Sequence, residues 1–262
     1  MHPIAFKLGT LSVHWYGVLV AMGFIAGLWT AGRRAPLHGI SPDKVGDAGP
    51  WMIIGGIIGA RSLYVATYWK ESFAGYPWTE VFMVQRGGLV FYGGLIGASL
   101  ATILYCRVRH IPLWKLADVF APSIALGYVF GRLGCLMNGC CYGRACSLPW
   151  AISYPSGALP PEHHGPVHPT QIYDSLLNLL LYLFLAWLYR RKKFDGQVFA
   201  TYLICYAFTR SFVEYFRGDY SLAHRHAGFL TPAQLVSVGI LVAGVALAVG
   251  LRRLKSQIPN LK

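Results

Sequence analysis

The sequence predicts an all-α integral membrane protein with seven transmembrane helices, and three observations support this fold class. Hydrophobic residues make up 55% of the 262-residue chain and charged residues only 13%, about half of the roughly 25% that is usual in a soluble domain. Apolar segments of about 20 residues, the length that a bilayer core requires, recur along the whole chain with short gaps. Lys and Arg residues are concentrated in the connections on one side of these segments. We therefore interpret residues 1–262 as a single transmembrane domain.

Seven apolar segments account for the predicted helices. Their approximate bounds are 12–32, 49–69, 88–107, 115–136, 171–189, 197–216 and 230–251. The second segment contains Gly55 and Gly59 at a GxxxG spacing, and the third contains Gly93 and Gly97 at the same spacing. Small residues at this spacing let two helices approach closely, so helix packing is the structural explanation for these glycines.

The basic residues predict the orientation of the segments. Fourteen of the 23 Lys and Arg residues lie in four places: 33–48, 107–115, 190–193 and the tail after 251. Six lie on the opposite side, and Arg61, Arg132 and Arg210 lie within segments. The positive-inside rule then places the N-terminus outside and the C-terminus in the cytoplasm. The N-terminus lacks a charged n-region and a small-residue cleavage site, so we expect no removable signal.

The formal net charge of +13 has two ordinary explanations, a nucleic-acid partner and an anionic membrane surface. The charge is confined to short loops here, and each basic residue near an anionic leaflet contributes about 1 kcal/mol of attraction. We therefore expect a bilayer partner and no nucleic acid.

Several polar features have structural explanations. Ser41-Pro42-Asp43 is typical of a helix start, Asp118 is expected to cap the cytoplasmic start of the fourth segment, and Arg190–Lys193 is interpreted as a topology anchor. The outer connection 137–170 contains six prolines and predicts an irregular cap at the interface. It ends in His168-Pro169-Thr170-Gln171, where Thr170 is the predicted N-cap of the fifth helix.

The stretch Phe130 to Gly143, FGRLGCLMNGCCYG, contains the first candidate site residue. Arg132 lies near the end of the fourth segment. Because an arginine costs about 3 kcal/mol at a helix centre, we expect Arg132 to face a partner or a wet cavity. Four glycines let the backbone leave the helix here: Gly131, Gly134, Gly139 and Gly143. A guanidinium in such a place can grip an anion such as phosphate with two parallel hydrogen bonds.

A second basic group follows in the sixth segment, where Arg210, Glu214 and Arg217 lie at spacings of four and three. On a helix these side chains project from one face. The structural alternative is an ion pair between segments. The functional alternative is an anion site that also includes Arg132, in which Glu214 orients the guanidinium groups and prevents their mutual repulsion.

Two tyrosines adjoin glycines within apolar segments. Tyr16 lies in the outer half of the first segment, where an aromatic belt residue is the structural alternative. Tyr92 lies beside Gly93 and Gly94, and its hydroxyl needs a hydrogen-bond partner if it is buried.

Four cysteines lie near the predicted outer surface: Cys135, Cys140, Cys141 and Cys146. Three histidines occur close by in the sequence: His163, His164 and His168. The cysteine spacing does not match the usual zinc spacings, so we expect no metal and favour a disulfide in the oxidising outer compartment. A Cys140–Cys141 bond would be strained. Cys135 or Cys146 is then the better partner for either, although Cys135 can equally have a packing role.

These pieces together resemble the bacterial phosphatidylglycerol–prolipoprotein diacylglyceryl transferase family. The resemblance covers nearly the whole chain: Trp15-Tyr16-Gly17, Gly87 to Gly97, Ala117-Asp118 with Ala121-Pro122, Gly131 to Gly143, His168 to Tyr173, and Arg210 to Arg217. So many pieces in this order and spacing do not agree by chance. The family spans the membrane seven times with its N-terminus outside, as the charge distribution independently predicts.

The resemblance implies transfer of the diacylglyceryl group of phosphatidylglycerol to the lipobox cysteine of a prolipoprotein signal peptide, with release of glycerol 1-phosphate. It implies a bacterial inner-membrane enzyme with a periplasmic cap and no cofactor. Its implied catalytic residues are Arg132, Arg210, Tyr92 and Tyr16. Its implied substrate-binding residues are Asn138, Gly143, Glu214, Arg217, Gly93, Gly94, His168 and Gln171.

The chain departs from the family pattern at three positions. The pattern commonly has His, Asn and Glu where this chain has Tyr92, Cys135 and Cys140. An imidazole can accept a thiol proton near neutral pH, whereas a phenol is a poor acceptor unless cations favour its charged form. The proton acceptor is therefore open between an activated Tyr92, water and the departing phosphate. A divergent member with another acceptor or a lost activity is a further alternative.

Two rival function classes remain. A seven-helix transporter or receptor for an anionic ligand explains the helix count and the intramembrane charges, but predicts polar residues through to the cytoplasmic half, where only Arg61 and Asp118 come close. A structural scaffold would use Arg132 and Arg210 as interhelix contacts only, and should tolerate lysine at either position.

Overall fold

The computed structural model describes residues 3–9, 11–84, 87–154, 165–218 and 231–257. In these ranges the long helices are Trp15–Arg34 (α1), Pro42–Thr67 (α2), Phe91–Val108 (α3), Leu113–Asn138 (α4), Thr170–Tyr189 (α5), Gln197–Phe216 (α6) and Pro232–Gln257 (α7). Each predicted segment corresponds to one of these helices, so the all-helical architecture is confirmed.

Two helix ends differ from the prediction by about two turns. Helix α2 begins at Pro42 because Ser41 accepts a hydrogen bond from the Lys44 amide at 3.4 Å and Pro42 occupies the first turn. Helix α7 continues to Gln257, beyond the predicted end at residue 251, through a basic last turn. Basic side chains stabilise a helix near its C-terminus, so the helix extends beyond its apolar stretch.

Five helical stretches are long and apolar enough to cross a membrane: Trp15–His38, α3, α4, α5 and α7. The chain is therefore a multi-pass membrane protein by length and composition. Helices α2 and α6 fall outside this set, and both carry charged residues, which include Arg61 in α2 and Arg210 and Glu214 in α6. The sevenfold crossing and the orientation stay predictions.

An antiparallel hairpin, Ile4–Leu8 (β1) and Leu11–His14 (β2), precedes α1 and was not expected in an all-α chain. Lys7 pairs with Ser12 in its register. The chain then divides into two compact units, Gly32–Leu116 and the pair of segments Met1–Ala31 with Ala117–Lys262.

In the unit Gly32–Leu116, α2 and α3 pack almost backbone against backbone. A Cβ added at Gly55 would lie 2.7 Å from the carbonyl oxygen of Gly97, and one at Gly59 would lie 2.8 Å from the Gly97 Cα. Side chains larger than hydrogen do not fit there, which confirms the packing explanation for both GxxxG pairs. Gly93 belongs to the same contact, since a Cβ there would lie 2.6 Å from Leu63 Cβ.

Arg61 in α2 binds backbone carbonyls of the connection that leads to α3. Its Nε donates to Val81 at 2.8 Å, and its terminal nitrogens donate to Glu80 at 2.5 Å and to Gly87 at 2.8 Å. This guanidinium therefore holds the described part of the connection against α2, and its charge has a structural explanation.

In the other unit, α1 packs on α4 through small residues. A Cβ at Gly23 would lie 2.8 Å from the Phe130 Cβ, and Ser123 Oγ donates to the Gly27 carbonyl at 2.6 Å. This close contact brings the start of α1 to the end of α4, where a Cβ at Gly134 would lie 3.0 Å from the Tyr16 ring.

Asp118 caps a different helix from the one predicted. It lies inside α4, fully buried, and its carboxylate accepts hydrogen bonds from the Gly196 and Phe199 amides at 2.8 and 2.9 Å. It therefore caps the start of α6. Lys192, expected to be only a topology anchor, is buried and forms an ion pair with Asp118 at 2.9 Å and with Asp195 at 2.8 Å.

We expect Asp118→Asn to lower the free energy of unfolding by about 3 kcal/mol or more, because it removes the buried partner of the Lys192 ammonium and weakens the cap of α6. The partner that remains, Asp195, is 41% exposed and compensates the buried charge less well. Thermal unfolding in detergent micelles measures the effect. Asp47→Asn is the matched control, because Asp47 pairs with Arg109 at 3.5 Å between side chains that are more than half exposed. It should change stability by less than about 1 kcal/mol. Equal shifts for the two variants would contradict the assignment.

Candidate active site

Arg132 lies near the C-terminal end of α4 with its guanidinium held on two sides. Its Nε lies 2.8 Å from Asp174 Oδ2 on α5, and its Nη2 donates to the Tyr128 hydroxyl at 2.5 Å. The same guanidinium lies 4.9 Å from the centroid of the Tyr128 ring. Only 13% of the arginine side chain is exposed. The charge is therefore buried, but it is compensated by a carboxylate and an aromatic hydroxyl.

Asp174 is itself fixed by α5. Its Oδ1 accepts a hydrogen bond from Asn178 Nδ2 at 3.0 Å, and the same amide donates to the Asp174 carbonyl at 2.8 Å. Both side chains are buried. One carboxylate oxygen is thus committed to Asn178 and the other to Arg132, which sets the direction of the guanidinium.

Arg210 is held by a second carboxylate near the C-terminal end of α6. Its Nη1 lies 2.7 Å from Glu214 Oε2, and Glu214 Oε1 accepts a hydrogen bond from Thr231 Oγ1, just before α7, at 2.9 Å. Glu214 was expected to orient all the guanidinium groups of the site. The structure divides that task, because Asp174 holds Arg132 while Glu214 holds Arg210.

The structure brings the two arginines of α4 and α6 into one electrostatic cluster. Asp174 lies within electrostatic range of Arg132, Arg210 and Arg217, and Arg210 lies within electrostatic range of the other two arginines. The rings of Tyr128 and Tyr206 meet edge to face at 5.8 Å between α4 and α6. Among the described residues of this cluster, three cations face two carboxylates, Asp174 and Glu214. The excess positive charge suits an anion.

The loop that follows α4, which contains Gly143 and Arg144, is clamped between two other segments. Gly143 donates its amide to the His168 carbonyl at 3.0 Å, and Arg144 donates its amide to the Phe216 carbonyl at 2.9 Å. The residues just before α5, which include His168, lie on one side of this extended stretch. Arg217, just after α6, lies on the other side and pairs with Gly143 in an antiparallel bridge. The clamp joins the ends of α4, α5 and α6.

Gly143 was predicted to let substrate approach the backbone, but its own chain occupies the space. A Cβ at this position would lie 2.5 Å from His168 Cβ, 2.6 Å from the His168 carbonyl oxygen and 2.9 Å from the Phe216 carbonyl oxygen. The close approach is therefore that of two neighbouring segments. A direct contact between Gly143 and substrate stays a prediction.

His168, Thr170 and Gln171 likewise hold the loop. Gln171 Nε2 donates to the Cys140 carbonyl at 2.7 Å and to the Tyr154 hydroxyl at 2.8 Å. Burial raises the pKa of Tyr154 to about 12. Thr170 Oγ1 donates to the Cys141 carbonyl at 2.6 Å, so the prediction that Thr170 caps α5 is wrong. His168 Nδ1 lies 3.2 Å from the Tyr173 hydroxyl. Substrate contacts of His168 and Gln171 stay predictions.

The remaining predicted residues are more exposed. Tyr16, in the first turn of α1, is 47% exposed and interacts electrostatically with Arg132 and Cys135. Asn138, the last residue of α4, is exposed, and its Nδ2 lies 3.8 Å from Cys140 Sγ. Tyr92 is 56% exposed in the first turn of α3, within the unit Gly32–Leu116, and Gly94 faces Gly56 in the same unit.

The cysteines take a different arrangement from the one expected. All six carry free thiols, and Cys146 Sγ accepts a hydrogen bond from the Leu148 amide at 3.4 Å. Cys135, Cys140 and Cys141 converge, with their sulfur atoms within 4.8 Å of one another. Hydrogen bonds with the thiols of Cys135 and Cys140, together with the charges of Arg217 and Arg132, lower the pKa of Cys141. His163 and His164 lie outside the described residues.

Comparisons with known proteins decide the family. A family model described as prolipoprotein diacylglyceryl transferase matches residues 3–250. The chain belongs to the prolipoprotein diacylglyceryl transferase family. Among its relatives is the phosphatidylglycerol–prolipoprotein diacylglyceryl transferase of Synechococcus elongatus, which is 36% identical over 98% of this chain and 90% of its own length. The protein of the same name from Clostridium tetani is 33% identical over 94% of this chain and 96% of its own length. That from Finegoldia magna is 36% identical over 95% of this chain and 95% of its own length.

In this family member Arg132 and Arg210 lie within electrostatic range of each other, and their joint role in a site stays a prediction. The sequence did not indicate Asp174, Asn178 or Tyr128 as members of the site. A signal was present. Asp174 and Asn178 lie four residues apart in an otherwise apolar helix, a spacing that places both on one face. A carboxylate buried in such a helix needs a cation nearby.

We expect Gly143→Ala to lower the melting temperature by several degrees, because the added methyl group forces two backbone segments apart and so loosens the clamp. Gly131→Ala, in the same signature, is the matched control, because no atom lies within 4 Å of a Cβ at that position. It should be neutral or slightly stabilising, since alanine is favoured over glycine in a helix by about 1 kcal/mol. Thermal unfolding of both variants in detergent checks the contrast, and a stable Gly143→Ala would show that the clamp can open without loss.

Proposed function

We propose that this chain transfers the diacylglyceryl group of phosphatidylglycerol to the lipobox cysteine thiol of prolipoproteins, which forms a thioether and releases glycerol 1-phosphate. Family membership supports the reaction class. The observation that carries the proposal for this chain is that Arg132 and Arg210 lie within electrostatic range of each other and that each is held by its own buried carboxylate.

The proposed role of the arginines follows from where charge develops. The thiolate attacks the glycerol carbon next to the phosphate ester oxygen, so the new bond is S–C and the broken bond is C–O. The electron pair of the broken bond leaves on the phosphate. Guanidinium groups that are already fixed in a water-poor site stabilise that charge without reorganising. Arginine cannot act as an ordinary base, because it stays protonated.

The two carboxylates leave the cluster with a net positive charge, which suits the departing phosphate. Asp174 and Glu214 hold their arginines in place, and the three guanidinium groups still exceed the carboxylates in charge. We assign Glu214 and Arg217 as supports for the site, and Tyr16 and Asn138 as hydrogen-bonding partners of the lipid headgroup or the signal peptide. Both Tyr16, at the start of α1, and Asn138, at the end of α4, are exposed.

The proposed topology places this end of the helices at the periplasmic face of the bacterial inner membrane. Seven crossings with the N-terminus outside then put the 137–170 connection in the periplasmic cap and the basic loops in the cytoplasm. The substrates reach the site from the outer leaflet, as phosphatidylglycerol and as a membrane-inserted signal peptide. The whole chain acts as a single transmembrane domain.

The alternative of a transporter or receptor loses its support in the structure. It required intramembrane charges that continue toward the cytoplasmic half, and only Arg61 and Asp118 met that requirement. Arg61 binds loop carbonyls, and Asp118 caps α6 and pairs with Lys192. Both are thus accounted for by contacts with their own chain.

We expect Arg132→Lys and Arg210→Lys to lose at least about 100-fold in transfer rate, since loss of one preformed donor at a developing charge costs 10²–10³. The alanine variants should abolish transfer. The assay incubates the variant with phosphatidylglycerol and a lipobox peptide, and mass spectrometry detects a diacylglyceryl adduct on the peptide cysteine. Arg109→Lys, in an exposed pair with Asp47, should retain full activity. Wild-type rates in either site variant would favour a scaffold role.

We expect Tyr92→His to keep or raise activity, because an imidazole accepts a thiol proton readily near neutral pH. Tyr92→Phe separates the two routes for the proton in the same transfer assay. A loss with Phe indicates that the phenol takes part, whereas an unchanged rate indicates that the proton leaves to water or to the departing phosphate. An inactive Tyr92→His would exclude position 92 as the proton acceptor.

A further inference from the structure

Three thiols converge where α4 ends, beside the arginine cluster. Cys135 lies in the last turn of α4, and Cys140 and Cys141 lie in the turn that follows. Their sulfur atoms all lie within 4.8 Å of one another, and all three residues are partly exposed. None of the three takes part in the ion pairs that hold Arg132 and Arg210.

The backbone makes this convergence. Gly139 and Cys141 both adopt positive φ, 75° and 64°, and the Cys140 amide donates to the Cys135 carbonyl at 3.1 Å. The chain therefore turns back on the end of α4. A positive φ is costly for a residue with a Cβ, of order 1–3 kcal/mol. Gln171 and Thr170 hold the turn through the carbonyls of Cys140 and Cys141, which explains how the strained conformation persists.

The arrangement matches the needs of a thiophilic metal ion. Zinc binds thiolates at about 2.3 Å, so sulfur atoms on three corners of a tetrahedron lie about 3.8 Å apart. The three sulfur atoms lie within 4.8 Å of one another, so their separations exceed that distance by about 1 Å at most. Structural zinc sites have four protein ligands, whereas catalytic sites have three and an open fourth position.

The surroundings also favour a metal with three thiolates. Zn²⁺ with three thiolate ligands carries one net negative charge, and the guanidinium groups of Arg132 and Arg217 lie within electrostatic range of Cys141. They offset that charge. Tyr16 also interacts with all three cysteines and with Arg132, so the cysteines and the arginine cluster share one region.

We infer that Cys135, Cys140 and Cys141 bind Zn²⁺, and that its open fourth position receives the thiol of the acceptor cysteine. This step rests on the proposed function. The thiol displaces a water molecule from the metal and gives its proton to solvent, because a metal-bound thiol is deprotonated outright. The bound thiolate then forms the S–C bond, the C–O bond breaks, and the electron pair leaves with glycerol 1-phosphate. The metal changes no oxidation state.

The first experiment measures the metal alone. The full chain is purified in detergent under a non-chelating reductant, loaded with Zn²⁺, freed of excess metal and analysed for zinc per protein. We expect one zinc per chain, and a loss of at least 10-fold in affinity for Cys140→Ser and Cys135→Ser. Cys205→Ser is the matched control in α6, outside the cluster, and should bind like the parent chain. Absence of zinc in the reduced parent, or equal binding in all variants, would overturn the inference.

The second experiment tests the open position and separates this inference from the proposed function. Co²⁺ replaces Zn²⁺, and a lipobox peptide is added with Cys or with Ser at the acceptor position. Only the Cys peptide should change the sulfur-to-cobalt absorption, and removal of metal should lower the transfer rate at least 10-fold, with recovery on addition of Zn²⁺. Equal rates with and without metal overturn the inference and leave the transferase standing. Stoichiometric zinc with a thiol-dependent spectrum but no adduct supports the metal site and overturns the proposed function.

Discussion

The ion pair between Arg132 and Asp174 is the interaction on which the rest of the site depends. A guanidinium buried among apolar helices is tolerated only with a partner, and Asp174 supplies one at 2.8 Å. Asn178 fixes the carboxylate in turn. The pair joins α4 to α5 at a single height, so it sets which residues of α5 face the end of α4. Gln171 and Thr170, one turn earlier on α5, then reach the carbonyls of Cys140 and Cys141.

This constraint explains why an irregular loop is stable at the end of a membrane helix. The backbone after Asn138 leaves the helix and must find partners for its amides and carbonyls. It finds them in the chain itself, through the clamp of Gly143 and Arg144 against His168 and Phe216 and through the side chains of α5. The end of α6 joins the same clamp, and Arg210 near that end lies within electrostatic range of Arg132. Residues that look like a substrate pocket in the sequence are thus partly the framework that positions two cations.

The sequence was sufficient for the helices, because these follow from local rules. A run of about 20 apolar residues identifies a helix, and a charge inside such a run needs a partner. What the sequence did not predict depends on which residues become neighbours. Asp118 caps α6 across 78 positions of sequence, and Asp174 pairs with an arginine on another helix. The predicted roles of Glu214, Thr170 and Gly143 were attached to the correct region, but their partners are set by packing that no local spacing encodes.

The acceptor thiol of the prolipoprotein must lose its proton when it attacks the lipid. Arginines stabilise the leaving phosphate but cannot take a proton, so a site built only from Arg132 and Arg210 completes half of the chemistry. Three sulfur atoms at one edge of that site, held in place by a strained turn, supply the missing half if they hold a metal, because coordination favours the thiolate directly and removes the need for a base of matched basicity. In that proposal the guanidinium groups would stabilise the departing phosphate, and the three cysteines would hold the metal that binds the attacking sulfur. The electrostatic interaction of Cys141 with Arg132 and Arg217 places the two groups of residues in one region of the chain.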